Sequence, residues 1–141
     1  MRNTVFALLL LAAFNVTGGD SPSAAGASLY IVSPAHGEAV SSPVKVVFGL
    51  SGMGVAPAGI NQAKTGHHHL LIDTDLPDLN HPIPADDNHL HFGGGQTEAV
   101  IKLAPGEHSL QLLLADFAHM PHNPPVMSQS ITIHVINPAT K

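Results

Sequence analysis

Gly66-His67-His68-His69-Leu70-Leu71-Ile72-Asp73 is the stretch from which the rest of the chain is read. Three consecutive histidines run into an apolar segment that ends on an aspartate. In an extended strand successive side chains alternate between faces, so His67 and His69 point one way and His68, with Leu70 and Ile72, the other. Two residues of strand rise set His67 and His69 roughly 6.6 Å apart along one face, near enough for both rings to converge on one ion. His89-Leu90-His91 repeats the same spacing. Two His-x-His arms in one short chain are the feature to explain.

The sequence around these arms is built from short period-two segments. Upstream, Ser28 to Ser33 is apolar and β-favouring, Pro34 to Glu38 turns it, and Val44, Val46, Phe48 and Leu50 share one face of a second strand. Residues 52 to 66 read as a Gly/Ala/Pro loop with a helical turn near Ile60 to Lys64. Downstream, residues 74 to 88 hold three prolines and four aspartates without periodicity, a long loop of the kind that is functional or mobile. His89 to Phe92 reads as a short strand closed by Gly93-Gly94-Gly95, a tight bend beside the site. Ala99, Ile101 and Leu103 share a face, as do Leu110, Leu112 and Leu114, and Ile131, Ile133 and Val135. Six or seven short strands between Pro/Gly turns predict an all-β domain, an immunoglobulin-like β-sandwich, with a small barrel or jelly roll as the alternative.

The 141 residues include 11 histidines, no cysteine and no tryptophan. Arg2 followed by the apolar run Val5 to Phe14 and by Ala25-Gly26-Ala27 fits a secretory signal peptide over residues 1–27, too short to span a bilayer. Residues 28–141 then form a single domain, periplasmic or secreted, with no membrane attachment after cleavage. The formal charge of −5 gives nothing to neutralise phosphates, which argues against nucleic acid and anionic membrane partners. Without cysteine no disulfide staples the fold, and any metal must be held by His, Met, Asp or Glu.

Gly66 to Asp73, then His89-Leu90-His91-Phe92-Gly93-Gly94-Gly95-Gln96-Thr97-Glu98, then Leu103 to Asp116, then His119-Met120-Pro121-His122-Asn123-Pro124-Pro125-Val126-Met127-Ser128 closely resembles a small bacterial exported family catalogued as domain of unknown function 4399. The resemblance covers roughly residues 46 to 136. It implies a compact, exported, mostly β domain and supplies no catalytic residue, so function has to come from the side chains.

The candidate metal ligands are His67, His69, His89, His91, His119, Met120 and His122, with His68, Asp73, Asp116 and Met127 as surrounding residues. In a sandwich the loops gather at the two ends, where distant segments meet. Neutral imidazole is the commonest protein ligand for transition metals, and a carboxylate such as Asp73 or Asp116 commonly orients its second nitrogen. Histidines without thiolate suit copper, zinc, nickel or iron; the thioethers of Met120 and Met127 favour copper, with zinc the alternative. The expected function is metal storage or delivery, with a periplasmic metalloprotein as a possible partner.

Other readings compete with this one. His36, His108 and His134 fall in turns or on outward faces and read as solvated; His81 lies in the long loop and is undecided. Met127 is equally well read as filling core space. His89, His91 and Glu98 resemble the ligand pattern of cupin enzymes, but the gap is longer and the usual glycines are missing, so turnover is the less favoured class. A non-catalytic, pH-responsive or adhesive module is the main alternative, since protonating all eleven histidines would swing the charge from −5 to +6.

Overall fold

The computed structural model describes residues 21–136, so most of the expected signal peptide lies outside the described residues. The described chain is all β. Its strands are Ser28–Ser33 (β1), Ala39–Ser41 (β2), Val44–Ser51 (β3), Gly54–Val55 (β4), Thr65–Ile72 (β5), His89–His91 (β6), Glu98–Ile101 (β7), Gly106–Ala115 (β8) and Ile131–Ile136 (β9). The six or seven expected strands are all present. The two additional ones, β2 and β4, are only three and two residues long. Residues 60–62 are irregular and residues 63–64 form a turn, so the expected helical turn is absent there. Among the described residues no helix is long and apolar enough to cross a membrane.

Two sheets form a sandwich. The smaller is ordered β1-β3-β7, and the larger β2-β9-β8-β5-β4, with β6 also paired to β5. Pairing is antiparallel except for β2 with β9 and β4 with β5. Between the sheets, Leu29, Val44, Val46, Phe48 and Ile101 pack against Leu70, Ile72, Leu110, Leu112, Leu114, Ile133 and Val135. These are the residues that period two places on one face of each strand. Each fully buried aliphatic side chain contributes about 1.5–3 kcal/mol.

β5 departs from one-sided alternation, because every residue from Gly66 to Ile72 is buried. The face of the large sheet turned away from the small one is also covered. There Leu71, Leu113 and Ala115 pack with Ile83 and Leu79 of the long loop. That loop is therefore part of the packed structure, and its Ile83 N–H donates to His119 C=O at 2.9 Å. The roof matters for function because it lies over the face carrying His67 and His69.

Candidate metal centre

β5 presents its histidines as period two requires. The ring of His68 turns into the sandwich core, 5.1 Å from the ring of Phe48, and its Nδ1 is 3.1 Å from Gln96 C=O. His67 and His69 turn to the opposite face, with ring centres 4.8 Å apart. β6 pairs in register so that His91 stands opposite His69, and their rings lie 5.1 Å apart. His119 arrives from the loop after β8, with its ring 5.1 Å from that of His67 and 4.8 Å from that of His91. Three distant segments thus meet on the outer face of the large sheet, beside the ends of β6 and β8.

His67, His91 and His119 each offer a ring nitrogen, and these nitrogens lie within 4.8 Å of one another. Nε2 of His91 and Nε2 of His119 are 3.2 Å apart. His67 and His69 are fully buried, and neither nitrogen of either ring has a hydrogen-bond partner. An unsatisfied buried polar group costs about 1–3 kcal/mol, so two such rings side by side are an expensive arrangement unless something else engages them. Burial, reinforced by His91 and His119 nearby, pushes the pKa of His67 down to about 4. Burial, reinforced by His67, His91 and His119, pushes that of His69 down to about 3. Both rings are neutral at pH 7, the state in which imidazole ligates a metal.

The frame is built by backbone and glycine. Asp116, at the end of β8, accepts on Oδ1 from the N–H groups of Ala118 (2.8 Å) and Met120 (3.0 Å), which fixes the turn carrying His119. His119 itself adopts a left-handed backbone, φ 67°, which is uncommon outside glycine and marks a turn held by its surroundings. The hydroxyl of Ser21 donates to Asp116 Oδ2, and Pro22 bridges to Asn123. Cleavage after Ala27 would remove these contacts. Gly93 allows the chain to bend against the site, because a Cβ there would stand 2.3 Å from Cε1 of His91.

The remaining candidates lie elsewhere. Nδ1 of His89 bonds Asp86 at 2.8 Å. His122 is buried; its Nδ1 bonds Ser21 C=O and its Nε2 has no partner. Met120 and His122 line a neighbouring cavity with Ser21 and Asp116. Met127 is exposed and bridges the backbone to Leu113. Asp73 accepts from Nδ1 of His108 and from Ser109 N–H, so it orients no ring of the cluster. His108 is consequently not the solvated residue expected: it is clamped between Asp73 and Ala104 C=O. Asp116 likewise works through the loop backbone, with no hydrogen bond to an imidazole. Glu98 lies on the small sheet, paired with Lys45 at 3.0 Å, so the cupin-like set does not assemble. Ser21 and Ile83 support the site with no motif to announce them; only the geometry of the folded chain brings them there.

The family model described as Domain of unknown function (DUF4399) matches residues 46–136. No curated protein and no solved structure matches the chain.

Proposed function

The chain belongs to the family catalogued as domain of unknown function 4399, and from its histidine geometry we propose that it is an exported transition-metal-binding protein whose ion is copper, held for storage or delivery. One observation carries the reading: His67, His91 and His119 aim ligand nitrogens at a common volume from three separate segments. An all-imidazole set accepts copper, as Cu(I), or zinc, and the thioether of Met120, lining the neighbouring cavity, is the soft donor that favours copper. Binding is favoured over turnover because Asp116 spends Oδ1 on the N–H groups of Ala118 and Met120, which ties the carboxylate to the loop backbone rather than to the cluster.

The test is metal analysis of the purified full chain. We expect about one copper or zinc per chain, and a thermal midpoint that falls in EDTA while the sandwich stays folded below it. His91→Ala combined with His119→Ala should abolish uptake with an unchanged β-type circular dichroism spectrum. A metal-free protein that also ignores added copper and zinc would remove the proposal. Self-association that varies with pH and is indifferent to EDTA would favour the adhesive module instead.

A further inference from the structure

We infer that His69 is the fourth ligand of this centre and that the four imidazoles form one closed, tetrahedral shell. Such a shell selects an ion without directional d-electron preference, Cu(I) or Zn(II), over Cu(II). The inference rests on the metal reading and deepens it.

The six distances between ring centres carry it. They are 4.8 Å for His67–His69, 5.0 Å for His67–His91, 5.1 Å for His67–His119, 5.1 Å for His69–His91, 6.1 Å for His69–His119 and 4.8 Å for His91–His119. A metal–nitrogen bond of about 2.0–2.1 Å puts each ring centre about 3 Å from the ion, and tetrahedral placement then separates ring centres by about 5 Å. Five of the six separations meet that value; the sixth, His69–His119, is longer at 6.1 Å. The ring nitrogens already within 4.8 Å of one another are those of His67, His91 and His119, so His69 completes the shell by turning its side chain toward them. The 3.2 Å between Nε2 of His91 and Nε2 of His119 also equals, within a few tenths, the nitrogen–nitrogen edge of about 3.3 Å of such a tetrahedron. A square-planar arrangement is different in kind: two of its six separations would be about 1.4 times the others, whereas here only His69–His119, at 6.1 Å, stands apart and the other opposite pair, His67–His91, is at 5.0 Å. Cu(II) prefers tetragonal geometry and would have to be distorted to fit.

Burial gives the shell a direction. His67 and His69 are fully buried on β5, and His91 is exposed. The ion is therefore seated against a rigid inner pair and reached over the His91–His119 edge. Four protein ligands leave no position for a substrate or water, which is the mark of a holding site rather than a catalytic one. Release then requires an outer imidazole to swing away, and a partner offering soft ligands would take the ion at that edge.

The experiment uses the full chain with three probes: Cu(I) under anaerobic conditions against a chromophoric Cu(I) chelator, Zn(II) against EDTA, and Cu(II). X-ray absorption of the Cu(I)- or Zn(II)-loaded chain should give a shell of four nitrogens at one distance. His69→Leu, close in size and unable to ligate, should weaken Cu(I) and Zn(II) by at least about a hundredfold. If His69→Leu fails to fold, the coordination number of the unaltered chain decides. A three-nitrogen shell, or a His69→Leu variant with unchanged affinity, would overturn the fourth ligand while leaving the metal reading in place. Cu(II) bound more tightly than Cu(I), with a tetragonal paramagnetic resonance spectrum, would overturn the tetrahedral shell. No uptake of any of the three ions would instead strike the metal reading itself.

Discussion

Two glycines separate the requirements of the site from those of the fold. A Cβ at Gly93 meets the ring of His91, at 2.3 Å from Cε1 and 2.6 Å from Nε2. A side chain can swing aside, so Gly93→Ala should fold and displace His91 from the cluster. We expect an unchanged metal-free melting temperature and a metal affinity lower by about tenfold or more, read by titration with copper or zinc. A Cβ at Gly66 meets Ala115 C=O at 2.5 Å and Nε2 of His122 at 2.8 Å. The backbone of β8 cannot swing, so Gly66→Ala should cost about 1–3 kcal/mol of stability, as overpacking does, measured by denaturant unfolding. A Gly93→Ala variant that binds metal normally would show that His91 has room the structure does not give it. At this scale the sequence was informative about direction: period two alone sends His67 and His69 to one face and His68 to the other. It was silent on His108, whose partner Asp73 is brought to it by the fold.

The loop after β8 is the element on which the site depends, and Asp116 is its keystone. Asp116→Ala leaves the N–H groups of Ala118 and Met120 and the hydroxyl of Ser21 without their acceptor. It should cost about 1–3 kcal/mol and weaken metal binding by about 10–100-fold. Asp116→Asn keeps an oxygen acceptor for both N–H groups and should recover most of both losses, as compared by thermal melts and metal titration. Equal loss in the two variants would mean that the negative charge, not the loop geometry, is what matters. The strands were legible because their apolar residues alternate, and the faces of β3, β8 and β9 follow directly from that. The roof over β5 was not legible. Leu70 and Ile72 serve the sandwich core while Leu71 serves the second cluster with Ile83, and a continuous apolar run cannot say which of its faces is covered or by what. For the same reason the meeting of His119 with His67 could be suspected from residue type but not placed. It depends on turns held by Asp116 and Ile83 rather than on any period.

For the molecule as a whole, the balance of buried neutral histidines sets the response to acid. Burial is the leading cause that lowers the pKa values of His67, His68, His69, His91 and His122. The unfolded chain binds protons on these rings near pH 6.5, while the folded chain resists until about 4 at His67 and about 3 at His69. Between those limits the unfolded state holds more protons, so stability falls as pH falls from about 6.5. His108 is the opposite case, its pKa raised by the hydrogen bond to Asp73. Its contribution is complete below about 6.5 and is lost as pH rises through its folded value, so it does not offset the acid loss. The metal-free chain in EDTA should therefore melt at progressively lower temperature from pH 7 to pH 4.5. The metal-loaded chain should lose more over the same interval, because protons compete with the ion for imidazole nitrogen. His69→Leu should flatten the metal-free profile by removing one of the neutral rings, provided its melt remains cooperative. A metal-free midpoint that stays level or rises over that range would mean that these rings are hydrated or already paired in solution, and the neutral, ligand-ready cluster would be lost with them.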